Sequence, residues 1–269
     1  DLALLGVPAN LTSISATGAN ATPDAIRQAL MRYSLQSSAG SIESISAIDA
    51  GNIDDPDHNE AVTIAKVAEL TTRTELVVAL GGDNSITYAT ALGAFGADLE
   101  TAGLITFDAH HDIRHGVSNG SPVRRLIEAG LNPQRILQIG INDFSNSPAY
   151  ANEAAELGIH VIHRDELETR ALADVMAEAF GVAGSGGGPI HVDIDVDVCD
   201  RAFVPACPAA APGGITAYQL RKLARLAAAH PRVKSIDVTE IDATADSADG
   251  RTVRLGALLV LEAAAGLLL

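Results

Sequence analysis

Cysteine is scarce in this 269-residue sequence, which contains only Cys199 and Cys207. The two lie close together in a segment rich in proline and alanine, and this spacing fits neither a disulfide framework nor a zinc-binding pattern. The cysteine content therefore favours a reducing compartment, and we expect a cytoplasmic protein.

Basic residues are also few. The sequence has 18 lysines and arginines against 34 aspartates and glutamates, which gives a formal net charge of −16. A surface of this sign repels phosphate backbones and anionic lipids, so neither nucleic acid nor a membrane is an expected partner. Hydrophobic residues make up 47% of the sequence, which is enough for a core and argues against disorder.

No apolar run is long enough to cross a membrane. The run GALLVLEAAAGLLL at 256–269 is shorter than the span of about 20 residues that a membrane helix needs, and Glu262 interrupts it. We predict a buried terminal helix there. The opening DLALLGV has no basic n-region and is too short for a secretory signal, so we expect no export signal.

Short apolar runs rich in β-branched residues alternate with segments of helical periodicity. This alternation predicts an α/β fold in which helices cover both faces of a mainly parallel sheet. The predicted strands are LALLGV (2–7), ELVVAL (75–80), GLITF (103–107), RILQIG (135–140), IHVI (159–162), IHVDIDV (190–196) and VKSIDV (233–238). The predicted helices span 23–33, 59–73, 121–130, 164–180 and 216–229. The glycine-rich GSGGGP (184–189) is interpreted as a loop, and without repeats or composition breaks we expect one domain over 1–269.

Polar motifs follow four of these strands. In a parallel sheet, ligands bind beyond the carboxyl ends of the strands, so these motifs are the candidate site. They are GGDNS (81–85), DAHHD (108–112), DIDVD (193–197) and TEID (239–242).

The acidic motifs predict a metal centre. Asp108, His110 and Asp112 are spaced two apart, so on an extended chain their side chains point the same way. Asp195 and Asp197 alternate likewise, and such buried carboxylates repel unless cations neutralise them. Two divalent ions formally cancel four carboxylates, and oxygen ligands with one imidazole suit manganese. For DAHHD alone, a solvated acidic loop is the alternative.

Four motifs, taken in order, resemble those of the ureohydrolase family, which comprises arginases, agmatinases and formimidoylglutamases. They are GGDNS, FDAHHD, DIDVDVCDRAFVPACPAAAPGG and DVTEID. The opening LLGVPAN…GANATPDAIRQAL resembles the family's N-terminal segment, so the likeness covers nearly the whole chain. It implies a three-layer α/β/α fold with an eight-stranded, mostly parallel sheet, and two manganese ions per chain.

The resemblance also implies roles for single residues. Asp108 and Asp195 bridge the two ions, Asp112 binds one ion, and His110 and Asp197 bind the other. Glu240 falls where the family holds the amidine or guanidinium nitrogens of its substrate. Where most members have GGDHS, with the histidine on the first ion, this chain has Asn84. An amide oxygen can ligate a hard ion, so we expect Asn84 to be a ligand at a weak or poorly loaded site.

Two residues bear on the substrate. Ile113-Arg114 after the last aspartate of DAHHD resembles formimidoylglutamases, and a guanidinium there would pair bidentately with a substrate carboxylate. The alternative is that Arg114 pairs with a nearby aspartate. Asn119 replaces a histidine that arginases use in catalysis, and we place it in the substrate site. His111 and His115 are candidate proton shuttles, although a loop histidine is more often only solvated.

Our hypothesis is hydrolysis of N-formimino-L-glutamate to L-glutamate and formamide, a step of histidine degradation. The nearest alternative is a guanidino hydrolase, such as an agmatinase or guanidino-acid hydrolase, which releases urea. A second alternative is a degenerate member that has lost catalysis through Asn84. In each case the partner is a small amidine or guanidino compound, and the family's habit predicts a homo-oligomer.

Overall fold

Eight strands of the computed structural model, which describes all residues 1–269, form one sheet in which every pair is parallel. The strands of the protein are β1 Leu2–Val7, β2 Gln36–Ser37, β3 Gly40–Ser41, β4 Ala47–Asn52, β5 Leu76–Gly81, β6 Gly103–Phe107, β7 Ile136–Ile141, β8 His160–His163, β9 Ile190–Asp195 and β10 Val233–Thr239. The sheet order is β4-β1-β5-β10-β9-β6-β7-β8, and β2 and β3 form a separate antiparallel hairpin.

Helices cover both faces of the sheet because successive strand residues point to opposite sides. The helices are α1 Thr22–Leu30, α2 Glu60–Thr71, α3 Ile86–Phe95, α4 Pro122–Ala129, α5 Pro148–Leu157, α6 Leu172–Ala183, α7 Ala217–Ala228 and α8 Arg251–Gly266. In β5, Val78 and Leu80 join the hydrophobic cluster under α1, α6, α7 and α8, whereas Val77 and Ala79 join the cluster under α2 and α3. The predicted three-layer α/β/α architecture with an eight-stranded sheet is confirmed.

All seven predicted strands are present, with bounds that agree to within one residue. The prediction missed the edge strand β4, whose residues are mostly exposed and so carry no apolar run. It also missed α5 and α3, and α3 is buried on nearly all sides, which removes the polar face that marks an amphipathic helix. The single helix predicted at 164–180 is wrong: the chain makes a 3₁₀ turn at Arg164–Glu168 before α6 begins.

The C-terminal apolar run lies in α8, a mostly buried helix that packs against α7. Glu262, which interrupts the run, is 5% exposed and pairs with Arg221 and Arg225 of α7. The chain contains no helix with the length and apolar character needed to span a membrane. Both cysteines are buried and unpaired.

The sheet order decides where the polar motifs meet. The four strands that precede them, β5, β10, β9 and β6, are consecutive neighbours in the middle of the sheet. Because all four are parallel, their carboxyl ends lie along one edge. Residues from four distant parts of the chain are therefore brought together there.

Candidate metal centre and substrate pocket

Asp108, His110 and Asp197 form the centre of the cluster at this edge. One potential ligand atom from each lies within 4.8 Å of the others. His110 Nδ1 is 2.8 Å from Asp197 Oδ2 and 3.5 Å from Asp108 Oδ1. Asp195 adjoins them, since its Oδ1 accepts a 2.8 Å hydrogen bond from the backbone N–H of Asp197. The ends of β6 and β9 thus place an imidazole and three carboxylates together.

The backbone is extended at Asp195 but not at Asp112 and Asp197, contrary to the prediction from their spacing. β6 ends at Phe107, and Asp112 has a left-handed φ of 52°, which turns its carboxylate back toward the cluster. Asp197 lies in a 3₁₀ turn at Val196–Val198 rather than on the strand. Glu240 is also left-handed, with a φ of 64°. Such conformations cost about 1–3 kcal/mol each and occur mostly at functional sites.

The negative charges of the carboxylates in the cluster are not balanced by nearby positive charges. Burial, and then the charges of neighbouring carboxylates, raises the pKa of Asp108 and Asp195 well above the usual range. Burial likewise raises the pKa of Asp112 to about 6. Although burial opposes it, the charge of Asp197 raises the pKa of His110 to about 10. One imidazolium cannot balance four carboxylates, so bound cations would stabilise the cluster.

The donor set fits hard divalent cations. Carboxylate oxygens and one imidazole are the ligands that suit manganese-type ions, whereas a thiophilic ion would need thiolates. Cys199 and Cys207 do not supply thiolates, because burial raises the pKa of both thiols. Asp108, Asp112, Asp195, Asp197 and His110 therefore fit the metal pair that the motifs predict.

Asn84 is placed beside this cluster, but its side chain does not present an oxygen to it. The carboxamide nitrogen Nδ2 donates a 2.6 Å hydrogen bond to Asp112 Oδ2. The oxygen Oδ1 instead accepts hydrogen bonds of 2.9 Å from the hydroxyls of Thr87 and Thr239. This arrangement differs from the ligating role predicted from the sequence, since only the oxygen of an amide can bind a hard cation.

Glu240 lies next to Asn84 and is 4% exposed. Its Oε1 accepts hydrogen bonds from the backbone N–H of Asn84 at 2.8 Å and from Asn119 Nδ2 at 2.9 Å. Burial raises the pKa of Glu240 to about 7. A carboxylate held by two donors at the edge of the cluster can bind amidine nitrogens.

The model of the arginase family matches residues 1–266. This chain belongs to the arginase family. The formimidoylglutamase of Bacillus subtilis is 35% identical, covering 98% of this chain and 86% of the relative. The crystal structure of formimidoylglutamase from Bacillus subtilis matches with a TM-score of 0.92 at 33% identity, covering 100% of this chain and 87% of that chain. Guanidinopropionase of Pseudomonas aeruginosa is 36% identical, covering 70% of this chain and 59% of its own length.

In this arginase-family chain, a pocket of about 350 Å³ opens over the cluster. Arg114 lines it, makes no ion pair, and has its guanidinium carbon 5.8 Å from the centre of the Tyr150 ring. The alternative prediction, that Arg114 pairs with a nearby aspartate, is therefore wrong. Gly120 leaves room for Arg114, because a Cβ there would lie 2.7 Å from Arg114 Cδ. A free guanidinium at a pocket is suited to an incoming carboxylate.

Asn119 also lines the pocket, but its polar atoms bind protein groups. While Nδ2 donates to Glu240, Oδ1 accepts a 3.0 Å hydrogen bond from the backbone N–H of Ile14. Asn119 thus ties the segment between β1 and α1 to Glu240, which differs from the predicted contact with substrate. Sequence reasoning did not find Ile14 as a pocket residue, since no motif marks the segment that contains it.

The two candidate proton shuttles differ in position, because His111 lines the pocket and His115 does not. His111 is buried, with Nδ1 2.7 Å from Gln138 Oε1, and burial lowers its pKa. His115 is exposed and does not line the pocket. His191 is fully buried and bonds Ser235 and Asp237 within the sheet, as expected for a structural histidine.

Proposed function

We propose that this arginase-family chain hydrolyses the amidine carbon–nitrogen bond of N-formimino-L-glutamate, giving L-glutamate and formamide. The observation that carries the proposal is the free guanidinium of Arg114 in the same pocket as the carboxylate cluster. Carboxylates at one end of the pocket suit the cationic amidine, and the arginine suits the acidic side chain of the substrate. The likeness to formimidoylglutamases supports this pairing.

The cluster is proposed to hold two manganese ions. Asp108, Asp112, Asp195, Asp197 and His110 would hold these ions, and Asn84 is a further candidate ligand beside Asp112. When bound, such ions act as Lewis acids and make water a nucleophile near neutral pH. The burial of all the carboxylates keeps bulk water away and strengthens their attraction for the ions.

Glu240 is proposed to hold the amidine nitrogens. Its Oε1 is fixed by Asn84 and Asn119, which leaves Oε2 without a hydrogen bond and available to the substrate. An amidine whose nitrogens bind one carboxylate is fixed in orientation, so its carbon faces the cluster. Asn119 contributes by positioning Glu240.

For the whole molecule, we propose its domain organisation, its location and its oligomeric state. We infer that residues 1–269 act as one ureohydrolase domain, supported by the family match over 1–266. Free buried cysteines support a cytoplasmic location. Homo-oligomer formation is supported by exposed apolar side chains such as Met31 at 87% and Phe144, which is fully exposed.

A guanidino-acid hydrolase is the second candidate. The 36% identity to guanidinopropionase favours it, and the Arg114 guanidinium would also suit a guanidino acid. The two candidates differ in the group that leaves, because an amidine yields formamide and a guanidine yields urea.

One activity panel separates them. The protein is loaded with manganese and offered N-formimino-L-glutamate, guanidino acids, agmatine and arginine, with formamide and urea measured. We expect formamide from the first substrate and little urea from the others. Preferred hydrolysis of agmatine, which lacks a carboxylate, would contradict the proposal, whereas urea from a guanidino acid would support the second candidate.

A further inference from the structure

Two hydroxyl groups at the substrate pocket make no hydrogen bond with the rest of the chain. They belong to Ser145, in the loop after β7, and to Tyr150, in the first turn of α5, and both residues line the pocket. The polar side chains between them are already hydrogen-bonded. The amide of Asn146 binds the backbone of the DAHHD motif, and the hydroxyl of Ser147 accepts from the backbone N–H of Tyr150. Ser145 and Tyr150 therefore keep donors that the fold does not use.

The backbone of the loop after β7 fixes the position of Ser145. Phe144 has a left-handed φ of 63° with a fully exposed ring, a conformation that is rare for a bulky residue and occurs mostly at functional sites. Phe144 thus faces solvent while the next residue faces the pocket. Asn146 fastens the loop to the motif that carries the metal ligands, with hydrogen bonds of 3.0 Å and 2.9 Å.

The charges of the pocket do not match those of the proposed substrate unless neutral donors take part. N-formimino-L-glutamate carries two carboxylates, one on the α carbon beside the amidine and one at the end of the side chain. Arg114 is the only lysine or arginine that lines the pocket, so one carboxylate has no cationic partner there. A carboxylate that leaves water needs hydrogen-bond donors, and a hydroxyl can supply one.

The depth of each group indicates which carboxylate it meets. Ser145 and Tyr150 are half-buried and belong to a segment that is bonded to the metal motif, whereas Arg114 is exposed. The α-carboxylate is next to the amidine and enters the pocket with it. The carboxylate of the side chain lies farther from the amidine, on the side of Arg114.

We propose that Ser145 and Tyr150 form a subsite for the α-carboxylate of the substrate, while Arg114 binds the carboxylate of its side chain. The pocket then selects dicarboxylates. The inference rests on the proposed function, because it assumes that a formimino amino acid enters this pocket.

The test combines variants with shortened substrates. The manganese-loaded protein is offered N-formimino-L-glutamate, N-formimino-4-aminobutyrate, which lacks the α-carboxylate, and N-formimino-L-2-aminobutyrate, which lacks the carboxylate of the side chain. On the dicarboxylate, Ser145→Ala and Tyr150→Phe should each lower kcat/KM by about tenfold, mainly by raising KM, because each removes a hydrogen bond to a charged group.

The shortened substrates separate a contact with substrate from a structural role. On N-formimino-4-aminobutyrate, Ser145→Ala and Tyr150→Phe should cause no loss, since the group they bind is missing. On N-formimino-L-2-aminobutyrate their loss should persist, whereas that of Arg114→Ala should disappear. Tyr218→Phe is the matched control, because Tyr218 is an exposed tyrosine of α7 outside the pocket, and it should match the wild type on all three substrates.

Three results would overturn the subsite: an unchanged kcat/KM on the dicarboxylate in either hydroxyl variant, a loss that persists on N-formimino-4-aminobutyrate, or a loss that disappears on the same substrate as that of Arg114→Ala. In each case the wild type still releases formamide, so the proposed function stands. A wild type that releases no formamide from any of the three substrates would overturn the proposed function, and this inference with it.

Discussion

Arg114 is the arginine that lines the pocket, and it forms no salt bridge with another residue of the chain. If it binds a substrate carboxylate, Arg114→Ala removes charge-assisted hydrogen bonds worth about 1.5–3 kcal/mol. We expect kcat/KM for formimino-glutamate to fall at least about tenfold, with manganese content unchanged. Arg114→Lys should restore only part of the loss, because an ammonium keeps the charge but not the two-pronged geometry.

Arg32→Ala is the control for this variant, since Arg32 is an exposed arginine that does not line the pocket. Its kcat/KM should equal that of the wild type. Undiminished hydrolysis of formimino-glutamate by Arg114→Ala would remove Arg114 from the substrate site.

At the scale of elements, the segment between β1 and α1 is attached to the site through Asn119. Asn119→Ala deletes the bond to the Ile14 N–H and the bond to Glu240 together. We expect kcat/KM to fall about tenfold, because Glu240 loses a donor worth about 1.5–3 kcal/mol. Amide hydrogen exchange in residues 11–17 should also become faster.

Asn20→Ala supplies the comparison, because Asn20 is exposed in the same connection and makes no side-chain hydrogen bond in the structure. It should change neither activity nor exchange. If Asn119→Ala lost activity with unchanged exchange, Asn119 would act on the substrate directly, as its sequence position first suggested.

The pairing of α7 with α8 depends on Glu262. Its two carboxylate oxygens each bind a different arginine, at 2.6 Å from Arg221 Nη2 and 2.6 Å from Arg225 Nε. Glu262→Gln leaves both guanidinium groups without a charged partner, and we expect the free energy of unfolding to fall by about 1–3 kcal/mol in denaturant titration. Glu69→Gln, which breaks exposed pairs on α2, should have a much smaller effect. Equal effects would show that burial of Glu262 does not matter.

At the scale of the whole molecule, metal binding and folding should be coupled. Buried carboxylates that repel one another destabilise the metal-free fold, and an ion that binds only the folded chain stabilises it. At a manganese concentration of 100 times Kd, the gain for one site is about 2.7 kcal/mol. We expect a chelator to lower the Tm and manganese to restore it, with about two ions per chain by elemental analysis.

Asp197→Ala tests the same coupling from the protein side. It should abolish hydrolysis and reduce the manganese-dependent rise in Tm, while the circular dichroism spectrum keeps its α/β form. If the wild type retains no manganese after dialysis against manganese, the catalytic assignment is contradicted. That result would favour a family member that has lost its activity.

Residue patterns along the chain are enough to predict the layered fold and the composition of the site. Buried strands and amphipathic helices follow from local residue patterns. Because the carboxyl ends of parallel strands share one edge, the sequence also predicts the proximity of GGDNS, DAHHD, DIDVD and TEID. Local patterns did not predict α3, because it is buried on nearly all sides and has no polar face. They did not predict the edge strand β4, because its residues are mostly exposed.

The orientations of the side chains in the site depend instead on contacts between distant parts of the chain. Asp112 and Glu240 have left-handed backbones, which the spacing of the residues does not reveal. The backbone of Asn84 binds Glu240 across 156 residues, and the hydroxyl of Thr239 meets the Asn84 side chain across 155. Such contacts depend on which strands become neighbours, so the orientation of Asn84 is a property of the folded sheet and not of GGDNS.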